Sequence, residues 1–290
     1  MRIVAENLTF TYNKKSKFSV DALKDVTLTI EEGSFFGIIG HTGSGKSTFI
    51  QHLNGLIPVE SGKLTVGDFD LSRKDKNLKK EYKNLRSKVG MVFQYPEYQL
   101  FAETVFDDIA FGYKNFYPES NQNEVSQAVF GALALLGVPT DLVYKSPLDL
   151  SGGQKRRVAI AGVLVTKPEV LVLDEPVAGL DPAGKSELMK LLHSLHDSGK
   201  VKTIIIVSHD MDEVCENCTD IAVFSEGKIV FNGKPKDVFS NGERIRELRL
   251  DLPVTGYLID ELKKVGVEID SDFTKADFVE KIVNVYKNNK

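Results

Sequence analysis

Only two cysteines, Cys215 and Cys218, occur in the 290 residues, so no disulfide framework holds the fold and a reducing, cytoplasmic compartment is expected. Their C-x-x-C spacing admits a redox or metal reading. A metal site needs further ligands nearby and His209 alone is close in sequence, so both cysteines are expected as small apolar residues on the buried side of a short helix. No uninterrupted apolar stretch approaches the ~20 residues that cross a bilayer, and the start, Met1-Arg2-Ile3-Val4-Ala5-Glu6, lacks the apolar region of a signal peptide. Any work at a membrane is therefore expected to go through partners. An excess of positive charge is missing as well: 37 basic and 41 acidic side chains give a formal charge of -4, and no nucleic-acid partner is expected. The length and the 42% apolar content suit one large domain or two.

What the chain does contain is organised around Gly40-His41-Thr42-Gly43-Ser44-Gly45-Lys46-Ser47, which follows the apolar run Phe35 to Ile39 and leads into Thr48-Phe49-Ile50. This is a Walker A P-loop between a buried strand and a helix. Its glycines let the backbone curl until several N–H groups point at one centre, and the helix adds the positive end of its dipole, so the loop cradles phosphate. Lys46 can then reach the β- and γ-phosphates, and the Ser47 hydroxyl can ligate Mg²⁺.

Around that loop, residues 2 to 10 and 26 to 30 read as antiparallel strands, with Tyr12 just after the first where a nucleotide base would need a stacking face. Gly62 to Val66 with Gly67 and Asp68 reads as a short hairpin. Arg73 to Lys88 is basic, expected as a solvated helix face, with attraction to acidic lipid headgroups as the alternative. Val89 to Phe93 reads as a buried strand ending at Gln94, then come the aromatic stretch Tyr95 to Phe101 and helical patterns over Val105 to Phe116 and Asn123 to Leu136. A helix is expected after Leu150, strands over Val170 to Asp174 and Thr203 to Val207, and a helix over Pro182 to His196. Strands alternating with helices predict a mainly parallel sheet with helices on both faces. From about Asn241 the chain turns to charged amphipathic segments, notably Tyr257 to Val265 and Lys275 to Tyr286, expected as a separate small helical unit for dimer contact or regulation.

A Walker A motif alone admits GTPases, kinases, helicases and transporters. The apolar strand ending at Asp174 is a Walker B element whose carboxylate can hold Mg²⁺ through water, and the adjacent Glu175 suits a general base for the attacking water. Asp181-Pro182-Ala183-Gly184 fits D-x-x-G, but no N-K-x-D guanine-reading motif occurs, which removes the GTPase reading. Leu150-Ser151-Gly152-Gly153-Gln154 is a second anion cradle at a helix start. One chain has one complete P-loop, so this cradle needs a nucleotide from elsewhere, and a dimer is implied.

With these motifs in order, residues 1 to 240 resemble the ATP-binding cassette (ABC) ATPases. The resemblance implies an α/β P-loop NTPase (RecA-like) core with an N-terminal antiparallel β subdomain, an inserted α-helical subdomain at about 95–165 and a small C-terminal helical extension over 241–290. It implies ATP and Mg²⁺ as cofactors, with residues 40–48 (His41, Thr42 and Thr48 included) around the phosphates. Tyr12 becomes the aromatic that stacks on adenine. Gln94 becomes the Q-loop residue that contacts Mg²⁺ or water and links the site to a transport partner. Ser151, Gly153 and Gln154 become the signature that binds the γ-phosphate of ATP held by the opposite subunit. Asp181 becomes the D-loop residue at the dimer seam, and His209 the switch histidine. Two subunits would then close head to tail over two ATP molecules and separate after hydrolysis.

Gln94-Tyr95-Pro96-Glu97-Tyr98-Gln99-Leu100-Phe101, followed by Glu103-Thr104-Val105 and Asp108 to Gly112, narrows the resemblance to the energy-coupling factor (ECF) transporter ATPases and the related cobalt and nickel importers. That group implies a second ATPase, non-identical or identical, a membrane T-component, a substrate-binding S-component and a place at the cytoplasmic face of the membrane. The aromatic loop after Gln94 would border the groove for the T-component; alternatively Tyr98, Leu100 and Phe101 pack inside the helical subdomain. Another ABC importer ATPase, or a soluble ABC ATPase outside transport, is the alternative assignment. The cargo, vitamin or transition-metal ion, is not written in a subunit that never touches it.

Overall fold

Branched apolar runs form the strands of the computed structural model, which describes residues 1–74 and 78–288. Strands β1 (Ile3–Tyr12) and β2 (Val20–Ile30) pair antiparallel, so Tyr12 closes the first strand instead of following it. β3 (Phe35–Gly40) enters a second sheet, and α1 (Lys46–Leu53) leaves the phosphate loop. β4 (Ser61–Val66) and β5 (Phe69–Asp70) make the expected hairpin and complete a first sheet of order β2-β1-β4-β5. Next come α2 (Leu78–Lys88), β6 (Val89–Val92), α3 (Val105–Phe116), α4 (Gln122–Leu135), α5 (Gly152–Leu164), β7 (Val170–Asp174), α6 (Pro182–Asp197) and β8 (Thr203–Val207). α7 (Met211–Asn217), β9 (Asp220–Ser225), β10 (Lys228–Gly233), α8 (Pro235–Phe239), α9 (Gly242–Glu247), α10 (Val254–Lys264) and α11 (Lys275–Asn288) end the chain.

The second sheet has the order β10-β9-β3-β8-β7-β6, parallel except for β10. Its side chains sort by the period of two that a strand imposes. Phe35, Ile39, Leu171, Leu173, Ile204 and Ile206 face the core shared with α3 to α7. Phe36, Ile38, Val170, Val172, Ile205 and Val207 face the core shared with α1 and the antiparallel sheet. Burial on both faces explains why these strands are continuous apolar runs. The β9–β10 hairpin escapes the sequence reading, although its turn, Glu226-Gly227, has both residues left-handed (φ 50° and 81°), the geometry that suits a two-residue hairpin.

Three of the basic side chains before β6 are tied down. Arg86 donates to Asn54 O at 3.2 Å and Gly55 O at 2.9 Å and lies over the Tyr82 ring, Lys88 pairs with Glu169, and Arg73 with Glu81. Asp75 and Lys76 lie outside the described residues, as do the side chains of Lys79 and Lys80. Cys215 and Cys218 are buried at α7 and its C-terminal cap, as expected, and burial pushes both thiols well above their usual range, away from the thiolate that metals or redox partners require. Among the described residues, no helix is long and apolar enough to cross a membrane.

The C-terminal segment shares a core with the rest of the chain: Ile245, Leu250, Leu252 and Phe273 join the cluster that holds Met211 and Val214. Two backbone N–H groups, of Val254 and Lys275, donate to Asp212 (3.1 Å) and Glu216 (2.8 Å) on α7.

The aromatic loop after Gln94 is anchored by one buried ion pair. Arg156 on α5 donates to both Glu97 oxygens (3.1 and 2.8 Å) and to the carbonyls of Pro176 (3.1 Å) and Ala178 (2.9 Å). Removing one partner leaves the other charge uncompensated, so Arg156→Ala is expected to lower unfolding free energy by about 3–5 kcal/mol. Urea denaturation measures it, with Lys264→Ala, which breaks only the exposed pair with Glu261, as a comparison that should change little.

Candidate nucleotide site

The phosphate loop sits where the two sheets meet. Gly45 has φ 108°, and a Cβ there would lie 2.4 Å from Ala22 O on β2; a Cβ on Gly40 would lie 2.3 Å from Phe224 O on β9. No other residue fits either place, which is the physical reason for the spelling of the motif. The loop is stitched to the β9–β10 turn by Gly227 N–H to Ser44 O (3.0 Å), and that turn to β2 by Lys24 N–H to Gly227 O (2.8 Å). Lys46 Nζ donates to Gly40 O (2.7 Å) and His41 O (3.0 Å), leaving one of its three N–H groups for a further acceptor. Burial lowers its pKa, opposed by the charges of Glu175 and Asp174.

A cavity of about 560 Å³ opens above the loop. Gly40, His41, Thr42, Gly43, Lys46, Ser47, Gln94, Asp174, Glu175 and His209 all line it, so the Walker, Q-loop and switch residues read from the sequence come together. Asp174 ends β7, and burial raises its carboxyl pKa, opposed by a hydrogen bond from Ser47 and assisted by the charge of Glu175. Glu175 adopts a left-handed φ of 52°, fixed by its N–H to Val207 O (2.9 Å), and His209 Nδ1 donates to Glu175 Oε2 at 2.6 Å. A carboxylate oriented by an imidazole at the end of a phosphate cradle can hold and accept a proton from water. Behind the loop, Ser44 and Thr48 are buried, and Tyr12 Oη lies 3.3 Å from Thr48 Oγ1 with the Tyr12 ring partly open to solvent.

The signature residues stand elsewhere. Ser151, Gly153 and Gln154 line a separate cavity of about 360 Å³ with Leu180 and Gly184. Ser151 and Gln154 cap α5 reciprocally, the Ser151 side chain accepting from Gln154 N–H (3.3 Å) and Gln154 Oε1 from Ser151 N–H (2.9 Å). Asp181 caps α6 by accepting from Gly184 N–H at 2.7 Å. None of these four residues lines the phosphate-loop cavity. Conversely, Met211, Arg249, Leu250 and Asp251 do line it and were not read from the sequence. Met211 directly follows the switch segment and was within reach; the others arrive by tertiary packing.

Residues 23–178 match the ABC transporter family. An energy-coupling factor transporter ATP-binding protein EcfA2 of Caldanaerobacter subterraneus subsp. tengcongensis is 47% identical over 94% of this chain and 93% of its own length. The chain belongs to the ABC transporter family, among the energy-coupling factor transporter ATP-binding proteins. A relative of the same name from Streptococcus thermophilus is 46% identical to this ABC ATPase over 98% of the chain and the whole of its own length. In structure, it resembles cbiO1 of Clostridium perfringens, described as part of the ABC transporter complex cbiONQ, with a TM-score of 0.73, 40% identity and coverage of 89% of this chain and 98% of that one. It also resembles the ATP-binding cassette MJ0796, solved as a dimer in a post-hydrolysis state bound to ADP and Pi, with a TM-score of 0.69, 28% identity and coverage of 79% of this chain and 97% of that one.

Two expectations follow for this ABC ATPase. Gly45→Ala combines a left-handed φ with contact against backbone, whereas a Cβ on Gly43 (φ 80°) meets nothing within 4 Å. Gly43→Ala should therefore cost only about 1–2 kcal/mol, while Gly45→Ala should abolish binding of a fluorescent ATP analogue and lower the melting temperature further.

The second concerns Glu213, buried behind the switch segment, where Ser208 Oγ donates to its Oε2 at 2.9 Å and its Oε1 has no partner among the described residues. Burial pushes its pKa from the usual 4.5 up to about 7, opposed by the Ser208 hydrogen bond and assisted by Asp210 and Glu175. The folded chain holds this proton more tightly than the unfolded chain, so the contribution to stability is full below pH 4.5 and is lost as pH rises to about 7. Glu213→Gln should accordingly match the wild type near pH 4.5 and exceed it at pH 8 by about 3 kcal/mol in urea unfolding.

Proposed function

We propose that this chain is one of the two ATP-hydrolysing subunits of an ECF-type importer, closing over ATP with a second, non-identical ATPase at the cytoplasmic face of the membrane. The observation that carries this reading is the division of the motif set between two cavities, with the base and switch residues over the phosphate loop and the signature residues apart from it. A nucleotide held by Lys46 can meet a signature loop only if a second subunit brings one. An identical partner chain is the other form this pairing can take.

In this reading Tyr12 stacks on adenine, and the backbone of residues 40–48 with Lys46 holds the β- and γ-phosphates. The site fits the phosphate group: the Ser44 hydroxyl is buried with no protein partner among the described residues, and Lys46 Nζ keeps one of its three N–H groups free of the Gly40 and His41 carbonyls. The hydroxyl of Ser47, the carboxylate of Asp174 and the amide oxygen of Gln94 are hard oxygen donors, a set suited to Mg²⁺. Mg²⁺ when bound neutralises phosphate charge. Glu175, oriented by His209, accepts the proton of the attacking water, and His209 also faces the γ-phosphate. Ser151, Gly153 and Gln154 serve the ATP of the partner, with Asp181 at the seam. Closure that depends on ATP and opening after its hydrolysis give a two-state motion, since the γ-phosphate binds the closed pair in a way the products do not.

Tyr95, Tyr98, Phe101 and Phe111 are exposed, which supports a contact with a membrane T-component at this loop and leaves Leu100 as the residue that packs inward. Through the T-component and an S-component, the cycle would drive uptake of a vitamin or a transition-metal ion.

Co-expression with an ECF-type T-component and a second ATPase, purified through a tag on this chain, tests the assignment together with Glu175→Gln. The partners should co-purify, and the substitution should lower ATP turnover by about 10²- to 10⁴-fold while ATP still binds. A chain that emerges alone and active would retain the ATPase chemistry and lose the transport assignment.

A further inference from the structure

The C-terminal segment places an arginine in the nucleotide cavity. Arg249 lines it together with Glu175, His209 and Met211, and the other charged residues of the lining are Lys46, Asp174 and Asp251. Each of the other seven arginines in the chain is paired with a carboxylate or a backbone carbonyl. Among the described residues, the Arg249 guanidinium has no hydrogen-bond or ion-pair partner. Even Asp251, two residues on, is turned to another group and accepts from Tyr257 Oη at 3.2 Å.

The backbone around Arg249 is built to hold it there. Arg249 N–H donates to Arg246 O (2.9 Å) and Leu250 N–H to Ile245 O (3.2 Å), the paired bonds of a Schellman motif that ends α9. Arg249 occupies the left-handed position of that motif at φ 58°, where glycine is the default. Just after it, Leu250 and Leu252 are buried in the core, and Val254 N–H is bonded to Asp212 on α7, so the segment is fixed against the helix that follows His209.

We propose that Arg249 is a phosphate ligand in cis, donating to the terminal phosphate of the nucleotide held by its own chain, and that the C-terminal segment thereby discriminates a triphosphate from a diphosphate. The proposal rests on the nucleotide reading of the cavity. A guanidinium presents a planar fork of donors that matches phosphate oxygens, and Arg249 lines the same cavity as the phosphate loop, Glu175 and His209. Because the contact is made within one chain, it operates before a second subunit closes.

The test is binding of Mg²⁺ with a non-hydrolysable ATP analogue, and of Mg²⁺-ADP, to the purified full chain by titration calorimetry. Arg249→Gly removes the guanidinium while suiting the backbone, so its melting temperature should not fall. It should weaken the triphosphate by about 10- to 100-fold, the loss of a hydrogen bond to a charged group, and change ADP by less than about twofold; Arg249→Lys should restore part of the difference. Equal weakening of both nucleotides, or none, would overturn the proposal. Lys46→Ala separates the two readings: it should abolish binding of both nucleotides, and if it does not, the nucleotide assignment of the cavity fails first.

Discussion

The absence of a side chain at Gly45 is the constraint on which the site depends. Its Cα faces the carbonyl of Ala22 on the antiparallel sheet, while Gly40 meets the carbonyl of Phe224 on the parallel sheet, so the phosphate loop is a wedge with backbone on two sides. Lys24 N–H to Gly227 O and Gly227 N–H to Ser44 O close the ring between β2, the β9–β10 turn and the loop. The two sheets therefore meet at the functional loop, and the loop's shape is fixed by main chain instead of by mobile side chains. Preorganised N–H groups need no rearrangement when an anion arrives, which is the property a phosphate cradle requires.

The carboxylates on the opposite wall are positioned by strand ends. β7 delivers Asp174 and β8 delivers the switch segment in adjacent register, Asp174 opposite Val207, which brings Glu175 and His209 into contact. The left-handed turn at Glu175 departs from the strand and directs its carboxylate across to His209 Nδ1. Ser208 faces the other way, into the buried Glu213 carboxyl, so one short segment connects the reacting end of the site to the interior of α7. The same helix receives Val254 and Lys275 from the C-terminal segment. α7 thus joins the switch to the part of the chain that carries Arg249.

Much of this was legible because each motif is a local answer to a local problem. A phosphate cradle must be rich in glycine, a strand buried on both faces must be continuously apolar, and both requirements are written in consecutive residues, so the loop, Asp174, Glu175 and the limits of α3 and β8 could be read directly. The β9–β10 hairpin is also written, in the alternation of Lys228 to Gly233 and in Glu226-Gly227, but β10 alternates exposed and half-buried residues and lacks the continuous apolar run that marks β7 and β8. Arg249 was not legible at all: it sits in a charged segment with no motif around it, and its position follows from Leu250 and Leu252 docking on a core whose other members lie far away in the chain. The placement of Tyr98 and Phe101 outside the helical core, with Leu100 turned in, could likewise be decided only by packing.

The link between the exposed aromatic loop and the site rests on Arg156. Its guanidinium is the common partner of Glu97 in that loop and of the carbonyls of Pro176 and Ala178, which directly follow Glu175, and its helix begins at Ser151. One rigid, buried cation therefore ties the loop that faces outward, α5 and the segment after Glu175 into a single unit. Such an ion pair adds little to stability compared with an apolar replacement, so its value lies in the geometry it enforces. A partner that displaces the 96–99 turn must move α5 with it or break a charge pair in a buried setting, and the second is costly. Movement at the aromatic loop and movement of the signature are thereby coupled through contacts in one chain, the physical requirement for ATP binding to be felt outside the nucleotide site.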